Sequence, residues 1–70
     1  MIRTRVQSSN LVSVGYDESL SLLEIEFKGN SVYQYSSVPN SVYRSLMGAS
    51  SHGEYFAAYV KDRYPTRRVS

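Results

Sequence analysis

Two tyrosines one residue apart, Tyr33 and Tyr35, are the side chains of this sequence best suited to recognition chemistry. On an extended segment, residues i and i+2 lie on one face. Two rings so placed on an open sheet face form a platform for unpaired bases, because every base has a π-face to stack. Cations are the second group. Arg3 and Arg5 stand near the start, and Lys61, Arg63, Arg67 and Arg68 near the end, with Tyr64 among the latter. If the chain ends lie together, these six cations can clamp a phosphate backbone, and Tyr64 adds a stacking ring. The formal charge is only +2, but it is unevenly placed. Residues 6–60 hold two cations against five acids, whereas the flanking residues hold six against one. Basic ends on an acidic body suit RNA contact, and they equally suit plain solubility.

Catalytic constellations are weak. Nucleophilic catalysis needs a nucleophile, a base and a group that orients the base. His52 is the only histidine, and there is no cysteine. Ser50 and Ser51 adjoin it in sequence, a spacing that seldom presents the required geometry. His52 is therefore expected to face solvent. The carboxylate pairs Asp17/Glu18 and Glu24/Glu26 read as a turn and as the polar face of a strand, with nothing to raise a pKa for acid–base work. One imidazole and scattered carboxylates do not make a dedicated metal site. Gly48 to Gly53 has the glycine spacing of a P-loop, but Glu54 stands where that loop needs Lys. Ser51-His52-Gly53-Glu54 instead matches the S-x-x-E capping box. The expectation is a non-enzymatic protein with no cofactor and no metal.

The elements that position these residues follow from periodicity. Leu11 to Tyr16 reads as a strand, with Gly15 marking a bulge or a close approach. Leu22 to Lys28 alternates, Leu23, Ile25 and Phe27 one way and Glu24, Glu26 and Lys28 the other. Gly29-Asn30 is a turn signal, and Ser31 to Ser36 forms the return strand. After Pro39, Asn40 to Gly48 reads as a short helix with Asn40 as its N-cap. Ser51 opens a second helix, with Phe56 and Val60 on its buried side and Lys61 and Arg63 in its last turn. Pro65 stops it. The fold expected is α+β, a three-stranded antiparallel β-meander followed by two short helices packed on one face (β-β-β-α-α). The predicted core is Leu23, Ile25, Phe27, Val32, Leu46, Phe56 and Val60. Residues 1–70 form a single domain, with an ordered core over about 8–65 and basic termini.

The direction of the tyrosines depends on the turn. A two-residue loop at Gly29-Asn30 sets Phe27 opposite Val32 and Glu26 opposite Tyr33. It places Val32 inside, turns Tyr33 and Tyr35 out beside Glu24 and Glu26, and points Gln34 inward. A three-residue loop shifts the pairing by one and buries both tyrosines. The two-residue loop is the favoured reading because it keeps Val32 in the core.

A family resemblance covers nearly the whole chain. Ser8-Ser9-Asn10-Leu11, Val14-Gly15-Tyr16-Asp17 and Leu23-Glu24-Ile25-Glu26-Phe27 resemble the opening of the KTSC domain. Tyr33-Gln34-Tyr35, Val38-Pro39, Val42-Tyr43, Ser51-x-Gly53-x-Tyr55-Phe56 and Val60-x-x-x-Tyr64-Pro65 continue it in order. Gly29-Asn30 stands where the family more often has Asn-Gly. Position 59, often a histidine there, is Tyr59. The resemblance implies a small domain found alone in bacterial and phage proteins and at the C-terminus of some lysyl-tRNA synthetases. That company implies an RNA-binding role, and it carries over no catalytic residue.

Two function classes follow. One is a weak RNA-binding module for tRNA or single strands, using Tyr33, Tyr35, Tyr64 and the basic ends Arg3, Arg5, Lys61, Arg63, Arg67 and Arg68. The other is a protein-interaction or self-association module using the same tyrosine face. The start of the chain lacks the apolar run of a signal peptide, and no window is long and apolar enough to span a membrane. No membrane partner and a cytoplasmic location are the expectation.

Overall fold

The computed structural model describes residues 1–70. Alternating and β-branched runs form strands β2 (Leu11–Asp17), β3 (Leu22–Phe27) and β4 (Ser31–Tyr35), and short basic segments form β1 (Arg3–Arg5) and β5 (Thr66–Arg68). Between β4 and β5 lie helices α1 (Asn40–Gly48) and α2 (His52–Tyr59). The strands make one antiparallel sheet in the order β1-β2-β3-β4-β5. The α+β class and the two helices agree with the sequence reading. The sheet has five strands rather than three, because the basic termini Arg3–Arg5 and Thr66–Arg68 add a strand at each edge. Three-residue strands carry almost no periodic signal, and only pairing with β2 and β4 defines them.

The hairpin register corrects the favoured reading. Phe27 pairs with Ser31, Ile25 with Tyr33 and Leu23 with Tyr35. The loop therefore has three residues, Lys28, Gly29 and Asn30, with Gly29 and Asn30 both at positive φ (94° and 70°). Asn30 N–H donates to the Phe27 carbonyl at 3.2 Å. Asn is among the few side chains that tolerate the left-handed region, so Gly-Asn closes a longer loop than the two-residue turn. One residue of slip moves every side chain to the other face. Tyr33 and Tyr35 thus point at the helices, Gln34 points away, and Val32 joins Glu26 on the helix-free face.

The core forms between the sheet and the helices. Leu11, Val14, Leu23, Ile25, Tyr35, Val38, Leu46, Phe56 and Val60 make one buried cluster. The Phe56 ring meets Phe27 and Tyr35 edge to face at 5.3 and 5.7 Å, an arrangement that favours aromatic quadrupoles. Tyr16 stacks on Tyr43 at 4.9 Å, and its hydroxyl donates to the Val38 carbonyl, fastening β2 to the start of α1.

The helix ends differ in detail from expectation. Pro39, not Asn40, occupies the N-cap of α1 and makes no side-chain cap. Ser51 caps α2 as expected, its Oγ accepting from Glu54 N–H at 3.2 Å. That helix closes at Val60, so Lys61 and Arg63 lie beyond its last turn. They sit in a reversal where Asp62 adopts positive φ, 62°, and the chain returns toward β5. No helix is long and apolar enough to cross a membrane.

Candidate functional site

Pairing across the sheet decides which predicted site residues share a surface. Arg3 lies opposite Gly15, Gly15 opposite Glu24, Glu24 opposite Gln34, and Gln34 opposite Arg67. Opposite residues share a face. The helix-free face therefore carries a row that runs from one edge strand to the other. Beside it, Arg5, Ser13, Glu26 and Val32 form a second row.

The first row is a continuous hydrogen-bonded ladder. Arg3 Nη1 donates to Glu24 Oε2, and Gln34 Nε2 donates to Glu24 Oε1 at 2.8 Å. Arg67 Nη2 donates to Gln34 Oε1 at 3.3 Å. Arg3 Nε also donates to Ser13 Oγ at 3.0 Å, and Ser13 Oγ donates to Glu26 Oε1 at 2.9 Å. Glu24 is only 8% exposed although it lies on the helix-free side. Burial pushes its pKa up, but the bonds from Gln34 and Arg3 and the Arg3 charge outweigh that and hold it below the usual carboxylate value. Gly15 makes this packing possible. A Cβ there would stand 2.9 Å from Arg3 Cγ and 2.9 Å from the Ile2 carbonyl oxygen. The close approach suggested by Gly15 is real, and the bulge lies elsewhere, between Leu11 and Ser13.

The predicted tyrosine platform is absent from this face. Tyr35 is buried in the core, and burial pushes its phenol up to about 12. Tyr33 packs edge to face on Phe27 at 5.8 Å, half-buried against the same cluster. Tyr64 also packs against the core. The predicted clamp between adjacent chain ends is likewise absent. β1 and β5 are opposite edges of the sheet, four strand spacings or about 19 Å apart. Arg3, Arg5 and Arg67 share the helix-free face. Arg68 turns to the other side, opposite Tyr33, and Lys61 and Arg63 are exposed in the reversal after α2.

Other polar residues take structural roles. His52 does not face open solvent: its Nδ1 lies 2.8 Å from the Leu46 carbonyl oxygen and bridges α2 to the end of α1. No three His, Asp or Glu side chains converge as a metal-binding group. Ser8 Oγ accepts from the amides of Asn10 and Leu11 and folds the turn before β2. That turn packs on the start of α2, where a Cβ at Gly53 would lie 2.7 Å from Asn10 Oδ1. Two sequence motifs more than forty residues apart meet there. Sequence reasoning also missed the groove beside this turn, an opening of about 280 Å³ whose lining includes Arg5, Ser8 and Lys28. Its walls come from three separate segments, so no local spacing reveals it.

Comparison with known proteins agrees with this architecture. A family model described as KTSC domain matches residues 7–64. An uncharacterized protein of Stutzerimonas stutzeri is 39% identical over 64 residues, covering 91% of this chain and 90% of that one. A lysine–tRNA ligase of Nostoc punctiforme is 33% identical over 64 residues, which are 91% of this chain but only 11% of the ligase. The crystal structure of a KTSC domain protein from Yersinia pestis superposes with a TM-score of 0.96 at 35% identity, covering 99% of this chain and 97% of that one. Sequence and fold thus lead to the same place, and the chain belongs to the KTSC domain family.

Proposed function

We propose that this chain is a non-enzymatic RNA-binding module that grips phosphates across the helix-free face of its sheet. The observation that carries this reading is the distribution of charge on that face. Arg5 and Arg67 flank it from opposite edges, while Glu24 and Glu26 between them are engaged by Arg3, Ser13 and Gln34. Carboxylates held by neighbouring donors repel an approaching phosphate less than free ones. No aromatic ring lies on this face, so contact is to the backbone and not to stacked bases. The likeness to a segment of lysine–tRNA ligases supports the same ligand class, since those enzymes are named for a tRNA substrate.

The test is a titration of tRNA and of an unstructured oligonucleotide over a series of salt concentrations. Binding is expected in the range of about 10⁻⁴ to 10⁻⁶ M, falling steeply with salt. The double variant Arg5→Ala/Arg67→Ala should flatten the log–log salt slope by about 1.5, at roughly 0.7–0.9 per lost phosphate contact. No binding at low salt, or an unchanged slope in a folded double variant, refutes the reading. One observation favours a second reading, a protein partner. Tyr59 is 56% exposed and lies against Tyr55, ring centroids 4.7 Å apart, above a shallow opening bordered by Ala49 and Ala58. Rings of this kind are enriched where proteins meet.

A further inference from the structure

We propose that the groove between Arg5 and Lys28 is a phosphate seat. It lies at the end of the sheet where the segment after β1 passes the β3–β4 loop, and it has a volume of about 280 Å³. Arg5 and Lys28 both line it. Neither side chain enters an ion pair, since the only ion pairs of the chain are those of Arg3 with Glu24 and Glu26. No Asp or Glu lines the groove. Two cations with no acid beside them in the lining give the groove a positive potential that favours an anion.

Hydrogen-bond donors are present beside the cations. Gln7 and Ser8 line the groove, and their backbone amides donate to no other backbone group. Ser8 Oγ is already committed, accepting from Asn10 and Leu11 and donating to Asn10 Oδ1 at 3.2 Å, so the turn that begins at Ser8 is pinned. Lys28 is placed by its own amide, which donates to the Asn10 carbonyl at 2.9 Å. A pinned turn, a guanidinium fork and an ammonium around one opening match a tetrahedral oxyanion: Arg supplies a planar pair of donors and Lys a mobile point charge. The ligand chemistry is a phosphate group, either free or carried by a nucleic acid. This deepens the RNA-contact reading, and rests on it where the phosphate is an RNA phosphate.

The experiment is amide NMR on the full chain, with inorganic phosphate, chloride at matched ionic strength, and a short RNA as three separate ligands. Phosphate is expected to shift the amides of Gln7, Ser8 and Lys28, while matched chloride leaves them unmoved. Lys28→Ala and Arg5→Ala should each weaken the phosphate response roughly fivefold. Arg44→Ala, an exposed cation of α1 that does not line the groove, should leave it unchanged. Equal shifts from chloride, no shift of these amides with phosphate, or an unweakened response in a folded Lys28→Ala variant each overturn the seat. RNA that moves only the amides of the helix-free sheet face overturns it too, while leaving the RNA reading intact. A phosphate response without any RNA binding upholds the seat for a free anion and removes the RNA reading.

Discussion

Replacing Glu24 with Gln should weaken the whole sheet, and the loss should fade as the solution is made acidic. Glu24 is the centre of the ladder that ties β1 to β4: it accepts from Arg3 on one oxygen and from Gln34 on the other. An amide in its place keeps the volume but turns one acceptor into a donor, which then faces either Arg3 or Gln34. Hydrogen bonds to charged groups contribute about 1.5–3 kcal/mol each. The Glu24 side chain is 11% exposed and that of Arg3 is 30%, so the lower part of that range applies. The expected loss is about 2 kcal/mol, against a total stability of about 4–10 kcal/mol for a chain of this length. At ~4–8 °C per kcal/mol, the melting temperature falls by roughly 8–16 °C. The pH dependence has a fixed sign. The folded protein holds the Glu24 pKa below its ordinary value of 4.5, so its contribution is present above that value and is lost as pH falls through the folded pKa. Urea unfolding of the wild type, Glu24→Gln, Arg3→Ala and the double variant, at neutral and acidic pH, completes a thermodynamic cycle. Coupling of about 1 kcal/mol or more at neutral pH should vanish in acid. Additive losses at neutral pH, or a gap between wild type and Glu24→Gln that persists in acid, would show that the ladder does not hold the sheet.

Two further outcomes test the orientation of the tyrosines and the helix entry. Tyr35 is buried with its phenol raised to about 12, so the wild type should lose stability between about pH 10 and 12, as the unfolded chain ionises first. Tyr35→Phe should lack that alkaline loss in denaturant titrations, and Tyr35→Ala should lower stability by about 3–5 kcal/mol, as for other large aromatics cut to Ala; an equal alkaline loss in Tyr35→Phe would contradict its burial. Ser51→Ala removes the acceptor for Glu54 N–H and should lose about 1 kcal/mol in the same assay, whereas an unchanged midpoint would deny Ser51 a capping role.

What the sequence determined by itself was local. Alternation through Leu23, Ile25 and Phe27 specified β3, Pro39 and Gly48 bracketed α1, and the S-x-x-E spacing marked the start of α2. Five of the seven residues expected in the core, Leu23, Ile25, Leu46, Phe56 and Val60, lie in the buried cluster, because period-two and i, i+4 patterns are properties of short segments. Phe27 packs at the margin of that cluster, and Val32 is buried as expected but on the other face. The ordered motifs were also enough to carry the family resemblance.

The tertiary structure decided everything that depended on pairing at a distance. The Gly29-Asn30 signal fits a two- or a three-residue loop, and the choice is made by which hairpin face packs on α2. Packing Tyr35 and Tyr33 against the Phe56 cluster selects the three-residue loop, since an aromatic ring removes far more apolar surface from water than a Val side chain, and Val32 is still only 7% exposed on the other face. The short edge strands exist only because β2 and β4 offer unpaired backbone groups, which no three-residue sequence announces. Arg3 and Arg67 reach the same ladder from opposite ends of the chain, and Arg5 and Lys28 meet at one groove, for the same reason. Their neighbourhood is set by strand order, and strand order is a property of the whole sheet.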